Sequence, residues 1–189
     1  MDKTIITAIS VALPLLIIFW MSISYTRLIR TLEAPLRKKL YSVIWGFFGV
    51  SILSFLITLA MKFGIYSSLF LANILLPWIT ILLLFWLGFA LLPKAIEKTP
   101  HEDPLILHTS YRLKTWMSIY GITSLISTGV MQSIMRGWVP YNQTLTTIAG
   151  ILSLVGFISM IFAWHQAYKV RRLFYFDRLE VEEEKSEEV

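Results

Sequence analysis

Five long stretches of this chain contain no aspartate, glutamate, lysine or arginine. A bilayer core about 30 Å thick is crossed by roughly 20 apolar residues in a helix, and each stretch reaches that length. The stretches are Thr4–Thr26, Leu40–Met61, Phe63–Pro93, Thr115–Met135 and Gly137–Tyr168. Their length and lack of charge predict membrane-spanning helices.

The overall composition favours a membrane protein over a water-soluble one. Hydrophobic residues make up 56% of the 189 positions and charged residues 15%, whereas a typical soluble domain has roughly 25% charged residues. A soluble helical bundle would also need polar faces on its helices, and none is visible in the charge-free stretches. We therefore expect an all-α integral membrane protein whose first partner is the lipid bilayer.

Two of the stretches are long enough to hold a pair of helices, and both contain residues that favour chain reversal. Residues 63–68 include a glycine and two serines, and residues 137–143 include a glycine, a proline and an asparagine. Division at these points predicts five transmembrane helices, at 5–25, 41–61, 69–92, 115–135 and 145–168. Residues 1–168 then form the transmembrane bundle. Residues 169–189 form a charged cytoplasmic tail with a solvated, glutamate-rich end.

Lysine and arginine are distributed unequally between the two sides of such a bundle. Of the 17 in the chain, only Lys3, Lys62 and Arg136 fall on one side. The others follow the first, third or fifth predicted helix, and only an odd number of spans brings these three segments together. Because positive charge is retained in the cytoplasm, the pattern predicts a multi-pass protein of the cell membrane with its N-terminus outside and its C-terminus inside. Topology also accounts for the basic isoelectric point of about 9.5, so no nucleic-acid partner is expected.

The predicted cytoplasmic connectors are short. In residues 26–40, leucines recur at every fourth position among arginines and lysines. This spacing is typical of a basic amphipathic segment lying on an anionic membrane surface, although Pro35 would interrupt it. Residues 93–114 contain three prolines and are predicted to form an irregular loop.

One face of the fourth predicted helix carries small and polar residues at helical spacing. Its members are Gly121, Ser124, Thr128 and Gln132. Small residues let helices approach closely, and hydroxyl or amide groups add hydrogen bonds between helices. The stripe is therefore interpreted as a packing surface on a central helix, and the alternative is the lining of a solute path.

Three further positions are candidates for ligand contacts. Pro77 cannot donate a hydrogen bond to the carbonyl of Asn73, so the third helix is predicted to bend there and to leave that carbonyl beside an amide. The bend either serves packing or contacts a ligand. At the outer ends of helices two and four, Lys62 and Arg136 either reach towards the interface or form a matched pair that binds an anion or a lipid headgroup.

The sequence offers no recognisable catalytic, metal or cofactor motif. The absence of cysteine excludes thiolate sites, and His165 lacks the second histidine at similar depth that a membrane haem would need. His101, Glu102, Asp103 and His108 are metal ligands by type, but no regular spacing organises them, so a solvated loop is favoured. No cofactor or metal is expected.

Three functions are compatible with these observations. The leading hypothesis is a non-catalytic subunit or assembly factor of a larger membrane complex, because the spans lack the ionisable groups of pumps and proton relays. The alternative is a small homo-oligomeric transporter or channel for a solute or lipid, favoured by the polar stripe, Pro77 and a faint repeat between residues 37–61 and 112–136. A membrane enzyme would have to use the histidine and carboxylate residues of its cytoplasmic face.

Overall fold

The computed structural model describes residues 3–62, 70–101 and 103–187. For residues 3–15, 34, 58–59, 61–62, 70–73, 178 and 180–187 it describes the backbone alone. The described residues are all-helical apart from short connections. The helices are α1 (Lys3–Thr31), α2 (Ala34–Lys62), α3 (Phe70–Trp86), a π-helical turn (Leu87–Leu91), α4 (Leu92–Lys98), α5 (Pro104–Met135) and α6 (Gln143–Glu187). The predicted turn at 63–68 lies outside the described residues.

The long helices pack as a closed ring. α1 packs against α2 and α6, α3 packs against α2 and α5, and the contact between α5 and α6 is the most extensive. Small residues account for that extent, because they recur along the buried face of α6 and permit close approach. They are Ala149, Gly156, Ser159, Ala163 and Ala167.

The turn between α5 and α6 follows the prediction made from its glycine and asparagine. Gly137 adopts a φ of 70°, a conformation that favours glycine. Its N–H and that of Trp138 donate to the carbonyls of Ile134 and Ser133, which is the Schellman pattern of helix termination. The Asn142 side chain then accepts from the N–H of Thr144 at 2.8 Å and caps α6.

The predicted end of the third span at residue 92 is wrong, because the helix passes through Pro93 to Lys98. Proline lacks the N–H that would bond the carbonyl four residues back. The chain accommodates it with the π-helical turn, in which the N–H of Leu92 donates to the carbonyl of Leu87. The π-helical turn therefore joins α3 and α4 into one continuous helical segment.

The predicted irregular loop at 93–114 is also wrong. α5 already begins at Pro104, and the Asp103 carboxylate accepts from the N–H of Leu105 at 2.8 Å as its N-cap. The N–H of Asp103 donates to Asp177 on α6 at 3.1 Å. On the other side of this junction, the N–H of Glu33 donates to the Thr99 hydroxyl at 3.4 Å. These contacts bring the α1–α2 turn, the α4–α5 connection and the C-terminal part of α6 to the same end of the bundle, which we call the basic end.

A compact core lies at the basic end. The leucines at spacing four in residues 26–40 belong to it: Leu28, Leu32 and Leu40 are almost fully buried. The prediction that this segment lies on the membrane surface is therefore wrong, since its apolar face packs inside the bundle. The predicted tail is helical, because α6 continues to Glu187, and its Val170 and Phe174 are buried in the same core.

Three helical segments are long and apolar enough to cross a membrane, namely Pro35–Ile57, Ile74–Lys98 and Gln143–Asp177. They indicate a membrane protein. The predicted fourth span, 115–135, is not among them, because serines, threonines and Gln132 interrupt its apolar residues. About half of the predicted first span lies in residues whose side chains are outside the described part. The exterior agrees with a lipid environment, since large apolar side chains of α6 such as Ile151, Leu154 and Ile158 are 43–58% exposed.

Candidate functional site

The Gln132 side chain joins α5 to α3 at the end of the bundle opposite the basic end. Its Oε1 accepts from the indole N–H of Trp78 at 2.8 Å, and its amide group donates to the carbonyl of Ile74 at 3.1 Å. The contacted residues lie on either side of Pro77, which stands inside α3. The structure thus brings two predicted features together, the polar stripe of α5 and the proline position of α3. This contact joins the Gln132 amide to the Ile74 carbonyl and is not the predicted one, which concerned the Asn73 carbonyl and an amide on the same helix.

Arg136 extends the Gln132 contacts towards the end of α5. Its guanidinium donates to Gln132 Oε1 at 3.1 Å and lies over the Trp138 ring, 4.3 Å from the ring centroid. These side chains line an open cleft of about 470 Å³ between α3 and α5. The side chains of Asn73 and of Lys62, the predicted counterpart of Arg136, lie outside the described part.

Gly121 marks a second contact between α3 and α5. A side chain there would lie against the Phe85 ring, within 2.9 Å of its Cγ and Cε2 atoms. One turn further along, the glycine lies on the α3 side and the large side chain on α5. A side chain at Gly88, in the π-helical turn that continues α3, would lie 2.9 Å from Cε of Met117. Each helix therefore places a large side chain on a glycine of the other.

Ser124 of the stripe and the neighbouring Ser127 lie towards α6. The Ser127 hydroxyl donates to the carbonyl of Ala149 at 2.8 Å. Ser124 packs on Gly156, where an added Cβ would lie 2.7 Å from its Oγ. Thr128 is half-buried. The predicted stripe is thus divided between two neighbours, with Gly121 and Gln132 against α3 and Ser124 against α6.

A stretch of α2 faces away from the bundle. Ser42, Gly46 and Gly49 are exposed, and a Cβ at either glycine would meet nothing within 4 Å. Leu53 and Leu56, 48% and 52% exposed, continue the same face. The spacing of these five residues alternates between four and three, as in the contact seam of paired helices. The faint repeat between residues 37–61 and 112–136 aligns Gly46 with Gly121. Gly46 lies on an open face, whereas Gly121 is packed against Phe85, so the two positions have different environments.

The basic end contains a cleft that sequence analysis did not predict. It measures about 540 Å³ and lies between α1 and α6. Its polar lining consists of Arg27, Arg30 and Thr31 from α1 and Tyr168, Arg171, Arg172 and Tyr175 from α6. The sequence does contain a signal, since the α6 residues recur at helical spacing and thus share one face. The contact of this α6 face with α1 depends on the fold and could not be predicted from the spacing.

Two of the histidine and carboxylate residues of the predicted loop make structural contacts. Asp103 caps α5, and the His101 ring packs edge-on against Phe174 with centroids 5.9 Å apart. His108 is exposed on α5, and Glu102 lies outside the described residues. Over the ranges that the structure describes, no three histidine, aspartate or glutamate side chains cluster as metal ligands would.

Comparison of the chain with known protein families, curated proteins and solved structures gave no match in any of the three.

Proposed function

We propose that this chain is a multi-pass protein of the cell membrane with five spans, its N-terminus outside and its C-terminus in the cytoplasm. The closed ring of five long helical segments supports five crossings. The contacts that gather the α1–α2 turn, the α4–α5 connection and α6 at one end also support it, because the basic residues flank these segments.

Within that membrane, we propose that the protein is a non-catalytic subunit or assembly factor of a larger complex. The observation that carries this proposal is the engagement of the polar stripe of α5 in contacts between helices. Gln132 bonds α3, Ser124 packs on Gly156 of α6, and Gly121 receives Phe85. A stripe used for packing has few polar groups left to line a path for a solute, so the contacts favour a structural role over transport.

The outward face of α2 supplies a surface for a partner. Glycine facing lipid gains little packing, whereas a shallow glycine surface lets a second membrane helix approach closely. We assign the seam Ser42–Gly46–Gly49–Leu53–Leu56 to contact with a transmembrane helix of another subunit.

Filling this seam is expected to release the partner. Gly46→Leu combined with Gly49→Leu places two large side chains where a partner helix would lie, while the space around both glycines within this chain is open. The measurement is mild-detergent extraction from the native membrane, a native gel and mass spectrometry of the co-migrating chains. The wild type should migrate with a stoichiometric partner, and the double variant should lose most of it.

The matched control is Ile122→Phe, which adds bulk at a position on α5 that is 59% exposed. It should keep the partner. A wild-type chain that migrates alone, or a double variant that retains its partner as fully as Ile122→Phe does, would contradict the assignment.

A further inference from the structure

Four arginines at the basic end, two from α1 and two from α6, line one cleft. Arg27 and Arg30 enter it from α1, and Arg171 and Arg172 enter it from α6. Retention of positive charge in the cytoplasm requires basic residues on this side, but it does not require two helices to direct them into a shared cleft.

In the proposed five-span topology, the cleft lies at the depth of lipid phosphates. Arg27 and Arg30 follow the predicted end of the first span at Tyr25 by about 3–8 Å, at 1.5 Å per helical residue. Arg171 and Arg172 follow the predicted end of the last span at Tyr168 by about 5–6 Å on the same measure. A headgroup layer extends roughly 5–8 Å beyond the hydrocarbon core. The backbone of all four arginines therefore lies within or beside that layer.

The lining has the chemistry that recognises a phosphate group. Guanidinium groups bind phosphate oxygens through paired hydrogen bonds, and Tyr168 and Tyr175, 53% and 62% exposed, add hydroxyl groups beside them. Phe174, which is 1% exposed, contributes an apolar wall. We propose that this cleft binds a phosphate-bearing ligand, and specifically the headgroup of an anionic phospholipid.

A second cleft at the same end provides the contrast. It measures about 340 Å³ and is lined by Lys94 and Lys114, but also by the carboxylate of Glu97. The Lys114 ammonium group lies 4.8 Å from the centroid of the Phe89 ring. A carboxylate in the lining repels an anion, so neutralising the two lysines of this cleft is a matched control that removes as much positive charge as one pair of arginines does.

The test measures lipid retention by the full-length chain. Protein purified from nanodiscs that contain phosphatidylglycerol in phosphatidylcholine is analysed by native mass spectrometry. The wild type should keep bound phosphatidylglycerol in preference to phosphatidylcholine. Arg171→Gln with Arg172→Gln should lower that retention by about ten-fold, and so should Arg27→Gln with Arg30→Gln.

Controls separate the site from general surface charge and identify the ligand's source. Lys94→Gln with Lys114→Gln removes the same charge and should leave retention near the wild-type level. Inorganic phosphate is titrated calorimetrically in parallel. Arginine-dependent phosphate binding without lipid retention would support the phosphate site but assign it to a soluble ligand. Equal losses in the arginine and lysine variants, or no preference for phosphatidylglycerol together with no phosphate binding, would overturn the proposal. The inference rests on the proposed spans, but the assay requires neither a partner subunit nor a particular orientation, so it can fail while the proposed subunit role holds.

Discussion

Replacement of Gly121 with alanine is expected to lower the thermal unfolding midpoint of the detergent-purified protein by about 2–10 °C. The added Cβ would lie within 2.9 Å of two atoms of the Phe85 ring, and that ring is stacked on Phe89 with centroids 5.0 Å apart. The ring therefore has limited freedom to move away. Overpacking of this kind costs about 1–3 kcal/mol, and a protein of this size loses roughly 2–4 °C per kcal/mol.

The control for this prediction is the same substitution at Gly46, where a Cβ meets nothing within 4 Å. Gly46→Ala should leave the midpoint unchanged or raise it slightly, because alanine favours helix over glycine. Adding Phe85→Leu to Gly121→Ala should recover part of the loss, since the two sites are in contact. Equal midpoints for Gly121→Ala and Gly46→Ala would show that the contact between α3 and α5 is not as described.

Replacement of Gln132 with leucine is expected to lower the same midpoint by about 2–14 °C. Leucine has similar bulk but leaves the Trp78 indole N–H and the Ile74 carbonyl without their partner on α5. Hydrogen bonds between membrane helices contribute about 0.6 kcal/mol each on average and up to about 1.7 kcal/mol. Two such bonds, one of them beside the proline of α3, give the expected range.

Ser133→Ala is the matched control for Gln132→Leu. The Ser133 hydroxyl donates to the carbonyl of Gly129 within α5 itself, at 2.8 Å, so its loss removes no bond between helices. Ser133→Ala should therefore change the midpoint little. A Gln132→Leu variant as stable as Ser133→Ala would contradict the assignment of Gln132 as the link between α3 and α5.

Patterns within one helix were readable from the sequence, whereas their partners were not. Helical spacing placed Gly121 and Gln132 on one face of α5, but nothing in the spacing indicated Phe85 or Trp78 as the residues they meet. The leucines at spacing four in residues 26–40 were likewise recognised as an apolar face. That face packs into the protein core and not onto a membrane, and a single sequence does not distinguish these two apolar surroundings.

Helix ends were predicted correctly where the turn residues end the helix through their own backbone or side-chain hydrogen bonds. The glycine and asparagine of the α5–α6 turn act through their own backbone and side-chain bonds, and the turn lies where expected. Pro93 was misread because its missing hydrogen bond is accommodated by a π-helical turn, which has no clear sequence signal. At the basic end, charged residues ended the predicted spans, but the helices continue there because their buried faces stabilise one another.

We propose that the bundle crosses the membrane five times with its basic end in the cytoplasm. Because the chain has no cysteine, single cysteines can be introduced into the wild-type background and labelled with a membrane-impermeant maleimide in intact cells. Thr4→Cys and Tyr141→Cys should be labelled from outside. Glu33→Cys, Lys98→Cys and Leu179→Cys should be labelled only after permeabilisation. Labelling of Glu33→Cys or Lys98→Cys in intact cells, or of Tyr141→Cys and Leu179→Cys from the same side, would contradict it.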